Sequence, residues 1–458
     1  MRRLASNAAA NVTNGAAAAV FQLGLTAIMA RTGDPHDLVV WSLAASLASL
    51  APLLGCNLCM AVARRLAVAR GDGPDAGPVR AVMFAAQVLT HRLVGTAFGL
   101  ALFLGVAVPL AYPHLCDHRP WTTGITVAGF FFGSSWIVRS QPLQGWLLAA
   151  HRNWPIAAAG LYARAAAIAA AWALLANRLP GWAIAVAAGT TLWIAVPSMA
   201  RHVRPELESL PMPSGPSVEQ RHLTKIAVGF AAWAASSTII QGSTVPWVAW
   251  LEPSAATPFF LAFTLVTVIV GAVTAAANAL VSPIAILLVQ KDLTAARALA
   301  RRSGLLSWLS ANLALGIAYA TLPMILRMWT GTHGAQAAET KPFFALLALQ
   351  HGIRSSGIVP SIVLAAGAAP RTMLRAIVPE ACLALLLAVP LGAAMGPHGF
   401  LLGLAVAATA GVLTAATMTS REVLAERSLH WGSTTATILI LTLLTAFGWL
   451  AAVGLWRF

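Results

Sequence analysis

Apolar runs, each about as long as a bilayer-crossing helix, follow one another along the whole chain with short polar breaks between them. They fall at 12–30, 39–63, 82–112, 121–150, 155–176, 180–200, 225–250, 257–290, 303–329, 342–366, 373–396, 398–419 and 433–456. A helix needs roughly 20 apolar residues to cross the hydrocarbon core, so the pattern predicts spans rather than buried core helices. The longest polar break, Arg201 to Lys225, carries Pro205, Pro211, Pro213 and Pro216 and reads as a linker on the cytoplasmic side. The expected organisation is an N-terminal lobe of six helices over 1–204, a linker over 205–224, a second six-helix lobe over 225–420 and an extra C-terminal helix over 421–458. The fold class is therefore an all-α polytopic membrane protein with twelve to fourteen transmembrane helices. Both halves open with a helix, a Pro-containing turn (Asp34-Pro35; Glu252-Pro253) and a second helix with a proline (Pro52; Pro283). An even number of spans per half gives two halves of the same orientation.

Charge tests that topology. With the N-terminus in the cytoplasm, nineteen Lys and Arg fall in cytoplasmic loops and span ends, among them Arg64, Arg65, Arg201, Arg204, Arg301 and Arg302. Six fall on the other side: Arg31, Arg119, Arg178, Arg327, Lys341 and Arg457. That asymmetry is the positive-inside bias. It predicts a multi-pass membrane protein with a cytoplasmic N-terminus. Met1-Arg2-Arg3 and the Ala-rich stretch after it resemble a signal peptide, but Asn7, Asn11 and Asn14 interrupt the apolar core, so this segment reads as an uncleaved first span.

Composition agrees. The chain is 59% hydrophobic and 9% charged, with a net charge of +15 and a mean hydropathy of +0.77. Such a chain is not a soluble domain, and the basic loops account for the net charge without nucleic acid. Cys56, Cys59, Cys116 and Cys382 imply no disulfide framework, and Cys56 and Cys59, despite their redox-like spacing, read as packing residues within an apolar helix. Trp41, Trp121, Trp154, Trp182, Trp247, Trp250, Trp308, Trp329 and Trp431 lie near span ends and read as interfacial anchors.

The candidate chemistry is cationic. Arg92, Arg139, Arg164 and Arg354 lie inside apolar runs where acids are almost absent. A cation there costs roughly 2.5–3.5 kcal/mol on insertion scales and marks a functional site by default. Arg92 is twelve residues from Arg80, Arg139 thirteen from Arg152 and Arg164 twelve from Arg152, so each lies about 18 Å from a cytoplasmic charge, near mid-bilayer. Arg354 is the counterpart in the second half. Two readings compete: a water-filled cationic cavity for an anionic ligand, or arginines bonding helix carbonyls and tying helices together. His91 and His351 neighbour the set. Asn7, Asn11, Asn14 and Gln22 share one face of the first helix, which either lines a cavity and bonds sugar hydroxyls or hydrogen-bonds a neighbouring helix. Pro142, just after Arg139, predicts a kink in the fourth span.

Glu380 is the one acid well inside a run and the candidate coupling residue, although its spacing from Arg375 favours an interfacial ion pair. No Gly-rich loop ending in Gly-Lys-Ser/Thr, no nucleophile motif and no metal-ligand cluster is present in the sequence, so ATP-driven pumping, catalysis, a metal and a cofactor are not expected.

Several stretches resemble the Wzx-type oligosaccharide flippases of the multidrug/oligosaccharidyl-lipid/polysaccharide (MOP) exporter superfamily. One is Arg297-Ala298-Leu299-Ala300-Arg301-Arg302-Ser303 leading to Pro323-Met324-Ile325-Leu326-Arg327-Met328-Trp329-Thr330-Gly331, similar to the ninth helix and its Trp-x-Gly turn. A second is the first hairpin, Met29-Ala30-Arg31-Thr32-Gly33 with Leu53-Leu54-Gly55-Cys56-Asn57-Leu58 and Ala63-Arg64-Arg65. A third is Pro142-Leu143-Gln144-Gly145 continuing to Ala150-His151-Arg152-Asn153. The resemblance extends over about 5–420 and implies two six-helix, MATE-like lobes around a central cavity that opens alternately to either side.

The cargo implied is an undecaprenyl-diphosphate-linked oligosaccharide, flipped from the cytoplasmic to the periplasmic leaflet of a bacterial inner membrane for O-antigen or exopolysaccharide biosynthesis. Polysaccharide polymerase and glycosyltransferases would be partners, and an ion gradient or product consumption the driving force. Cavities in that family are typically cationic, which Arg92, Arg139, Arg164 and Arg354 match in character rather than by motif. The first helix has no Asp or Glu of the kind that drug exporters use for coupling. A drug or metabolite antiporter of the same superfamily and a membrane enzyme acting on polyprenyl-linked sugars are the competing readings.

Overall fold

The computed structural model describes residues 2–32, 34–55, 57–71, 77–115, 119–150, 152–209, 217–331, 334–368, 370–425 and 434–453. Met1, Gly33, Cys56, Cys116, most of the prolines of the linker (Pro211, Pro213, Pro216) and Trp431 lie outside them. The described chain is helical throughout, with no strand, and divides into two compact units, Met1–Pro246 and Trp247–Phe458. Eight continuous helical stretches among the described residues are long and apolar enough to cross a membrane. This is the architecture of a multi-pass membrane protein, because only segments that satisfy their own backbone hydrogen bonds survive in hydrocarbon.

The first unit holds α1 (Arg2–Ala30), α2 (Pro35–Ala48), α3 (Ala51–Leu54), α4 (Leu58–Gly71), α5 (Gly77–Ala111), α6 (Pro120–Ser134), α7 (Trp136–Ala149), α8 (Trp154–Ala176), α9 (Gly181–Thr191), α10 (Ala195–Glu208) and most of α11 (Ser217–Leu251). α1 packs on α8, α4 on α7, and α6 on both α5 and α9. Glycines set the closeness of these seams. A Cβ at Gly133 would fall 2.4 Å from the Gly189 backbone, and one at Gly124 2.3 Å from the Gly105 carbonyl oxygen. Small residues let helices approach where no hydrophobic effect drives them together.

Three of these spans are interrupted, the sixth by a 3-10 turn at Leu192–Ile194. The second breaks between α3 and α4, where Asn57 takes a left-handed φ of 47°, and the buried Gln141 of α7 accepts the Cys59 N–H there at 2.7 Å. A Cβ at Gly55 would lie 3.0 Å from Gln141 Nε2, so Gly55 makes room for that contact. The fourth span is interrupted at Ser135, not at the predicted Pro142, around which α7 continues as helix. Ser135 Oγ donates back to the Phe132 carbonyl at 2.6 Å, a local bond that competes with the helical ladder and bends it.

The second unit holds α12 (Ala256–Ala277), α13 (Val281–Val289), α14 (Leu293–Ala320), α15 (Leu322–Thr330), α16 (Gly334–Ser356), α17 (Ile358–Gly367), α18 (Pro370–Leu383), α19 (Val389–Met418) and α20 (Thr434–Val453). α16 is central, packed by α12, α14, α19 and α20. α19 contains a turn at Gly396, whose φ of 64° suits glycine, so its two arms form a hairpin at the predicted Gly396-Pro397 break. The arms meet closely: a Cβ at Gly403 would fall 2.5 Å from the Ala388 Cα. Gly331, at φ 75°, ends α15 in the left-handed cap of the Trp-x-Gly turn.

Not every tryptophan is an anchor. Trp121, Trp154 and Trp250 are exposed as expected, but Trp41 is fully buried, donating to Thr26 Oγ1 at 3.1 Å with its ring edge-on to Phe130. Trp308 is half-buried and donates to Thr445 Oγ1 at 2.7 Å. Buried indoles need a partner for the N–H, and both have one.

Candidate functional site

In the first unit the α1–α8 seam is polar and Arg164 is its charged member. The half-buried guanidinium donates through Nη1 to Asn14 Oδ1 at 2.7 Å and lies 6.0 Å from the centre of the Trp136 ring. Gly160, one turn earlier on α8, makes this possible, since a Cβ there would come within 2.7 Å of Asn14 Oδ1 and 2.8 Å of Nη1. Nothing among the described residues accepts from Nε or Nη2, and neither atom is sealed from the surface. Arg139 follows Trp136 by three residues on α7, the spacing that places two side chains on one helix face. It is half-buried, and no described residue pairs with it. The described ion pairs of this unit, Arg119–Asp34 and Arg152–Glu206, lie elsewhere.

The other expected residues are distributed differently. Asn11 Oδ1 accepts from Asn153 Nδ2 at 3.1 Å, Asn7 Oδ1 from the Asn153 N–H at 3.4 Å and Ser6 Oγ from Trp154 Nε1 at 2.9 Å. The asparagine stripe of α1 is thus engaged with α8, the interhelical alternative of the sequence reading. Gln22 is half-buried with no protein partner among the described residues. Arg92 is not buried as expected. With His91 it is exposed, and it heads a stripe of α5 that continues through Phe103, Val106 and Leu110, all exposed.

The second unit corrects the reading of Glu380. It pairs with Arg354 Nη2, not with Arg375, and the two side chains are 14% and 13% exposed. Arg354 on α16 therefore does have a carboxylate, brought from α18. Gly411 of α19 packs directly on it, where a Cβ would lie 2.4 Å from Glu380 Oε2. His351, one turn before Arg354, is buried beside it. Arg354 Nε and Nη1 are buried without a partner among the described residues. Among the described residues no group of three His, Cys, Asp or Glu could hold a metal ion.

The sequence reading did not single out Trp136, Gly160 and Gln141. Their signals were local: Trp136 stands three residues before Arg139, Gly160 four before Arg164, and Gln141 two after Arg139.

No protein-family model and no curated protein sequence matches the chain. Solved structures do. A eukaryotic MATE transporter, AtDTX14, superposes with a TM-score of 0.68 over 97% of this chain and 98% of its own, at 12% identity. An inward-facing multidrug-resistance MATE transporter of the MOP superfamily gives 0.70, covering 89% of this chain and 95% of its own, at 11% identity. The chain has the MATE fold. A MOP-superfamily transporter from Pyrococcus furiosus, whose binding pocket is described as of reverse polarity, gives 0.65 over 93% of this chain and 96% of its own, at 12% identity. At such identities the MATE fold is shared while side chains are not, so the arginines of α7 and α8 have to be judged on their own chemistry.

Proposed function

We propose that this protein is a membrane transporter for an anionic, lipid-linked oligosaccharide, flipping an undecaprenyl-diphosphate-linked repeat unit from the cytoplasmic to the periplasmic leaflet. The observation that carries the reading is Arg164, held by Asn14 beside Trp136 with donors left over, with Arg139 three residues along α7 from that ring and no carboxylate paired with either among the described residues. Guanidinium groups with unused donors suit diphosphate, which accepts two parallel N–H bonds. The MATE fold supports transport by alternating access, and the resemblance of the first hairpin and ninth helix to Wzx-type flippases supports this cargo.

The MATE-like drug antiporter is the second reading, favoured by the neighbours' fold. Cationic drugs call for an available buried carboxylate. α1 has none, and Glu380 is engaged by Arg354.

The test is flipping of a fluorescent undecaprenyl-diphosphate oligosaccharide by the full chain in proteoliposomes. Arg139→Ala and Arg164→Ala should each lower the rate at least tenfold with the protein still folded. Undiminished flipping by both variants would overturn the assignment of the site. Gradient-driven efflux of a cationic dye, with no flipping by the wild type, would instead establish the antiporter.

A further inference from the structure

The seam between α14 and α20 is held by polar bonds between large side chains. Trp308 donates to Thr445 Oγ1 at 2.7 Å, Trp449 Nε1 to Asn312 Oδ1 at 3.3 Å, and Asn312 Nδ2 to the Trp308 carbonyl at 3.0 Å and Ser355 Oγ at 3.2 Å. Above this network the two helices leave a cavity of about 320 Å³ lined by Gly316, Tyr319, Leu444 and Gly448. The polar groups of its floor already bond one another, so the cavity offers hydrocarbon a dry wall and asks no water of it. A Cβ at Gly316 or Gly448 would meet nothing within 4 Å. These glycines therefore keep space open rather than bring helices together. Leu309, Leu313 and Ile317 of α14 and Leu443 and Phe447 of α20 are exposed beside it, the apolar surface a bilayer would cover.

One end of the cavity is charged. Lys341 Nζ lies 5.0 Å from the centre of the Tyr319 ring, its side chain is exposed, and it has no carboxylate partner among the described residues. Tyr319 lies eighteen residues beyond Arg301 on α14, about 27 Å along the axis and close to the roughly 30 Å of a hydrocarbon core. Lys341 thus stands at headgroup depth at the membrane face opposite Arg301. An ammonium above an aromatic ring, at the mouth of a hydrocarbon-lined furrow, complements one kind of molecule: a phosphate ester carrying an acyl chain.

We propose that this furrow is a binding site for an anionic phospholipid of the surrounding bilayer, one acyl chain lying over Gly316 and Gly448 and the headgroup phosphate on Lys341. The site is distinct from the α7–α8 arginines and independent of the cargo assigned to them.

The test uses the full chain in nanodiscs of equal phosphatidylglycerol and phosphatidylcholine, released into mild detergent, with retained lipid counted by native mass spectrometry. The wild type should keep one phosphatidylglycerol per chain. Lys341→Ala, at an exposed position, should reduce the preference for phosphatidylglycerol over phosphatidylcholine about fivefold. Gly448→Leu should fill the furrow and abolish retention of both lipids without lowering the melting temperature. Retention unchanged in Gly448→Leu, or equal retention of the two lipids by the wild type, would overturn the proposal. So would a monomer–dimer shift in Gly448→Leu, which would make the furrow a contact for a second copy.

Discussion

The arginines of this chain differ in what surrounds them, and that decides what each can do. Arg354 and Glu380 form a largely buried pair whose members gain from one another but leave Arg354 Nε and Nη1 without an acceptor among the described residues. Truncating one partner of such a pair strands the other charge and costs about 3–5 kcal/mol, whereas replacing both with apolar groups is often neutral. Glu380→Ala should accordingly lower the melting temperature in detergent sharply, and Arg354→Met with Glu380→Leu should restore most of it. A double variant as unstable as the single one would show that the pair has a further partner. Arg164 is the opposite case, with a neutral anchor and free donors. Gly160→Val should push its guanidinium off Asn14 and lower affinity for a diphosphate ligand by about 1.5–3 kcal/mol, the range for hydrogen bonds to charged groups, with the chain still folded. Binding equal to wild type by calorimetry would remove Asn14 from the site. The place of Arg164 inside an apolar helix was legible in the sequence, but Asn14 lies 150 residues away, and no local rule pairs them. The same limit misassigned Glu380: Arg375 is five residues distant and Arg354 twenty-six, and the fold chose the farther.

Elements were legible where hydropathy alone decides them. The predicted apolar runs fall on one to three helices each, and the Gly396-Pro397 break is where α19 turns. Breaks inside spans were not, because they depend on what a neighbouring helix supplies. Pro142 predicted the wrong point, while the second span is broken between α3 and α4 and made tolerable by Gln141. A backbone N–H left unbonded in an apolar surrounding costs about 1–3 kcal/mol. Gln141→Leu should therefore destabilise the first unit by about that amount and raise amide exchange around Cys59. Asn57→Gly should leave the left-handed turn itself in place, since glycine takes a positive φ without strain. If Gln141→Leu leaves exchange at Cys59 unchanged, the break is held by something other than this side chain. The seam glycines behave differently again. Their spacing was visible in the sequence, but only the structure separates Gly133 and Gly403, pressed on backbone, from Gly316 and Gly448, which face open space.

At the scale of the whole molecule, a net charge of +15 mixes two populations: basic loops that set topology and a few cations within the spans. The bulk charge says nothing of a binding site, and a MATE fold at 11–12% identity says nothing of the ligand. What separates the populations is response to a small multivalent anion. A ligand that binds only the folded protein stabilises it by about 2.7 kcal/mol at one hundred times its dissociation constant. Inorganic pyrophosphate should thus raise the melting temperature of the wild type in a saturable way. Weak contacts on exposed loops fade as the screening length falls from about 10 Å at 0.1 M salt to about 3 Å at 1 M, whereas half-buried cations are screened less. Part of the shift should therefore survive high salt in the wild type, and that part should vanish in Arg139→Ala with Arg164→Ala, whose loops are intact. Arg92→Ala should keep it, because that side chain lies exposed on α5. A salt-resistant shift that persists in the double variant would move the anion site away from α7 and α8, and a shift lost entirely at high salt in the wild type would reduce it to loop charge.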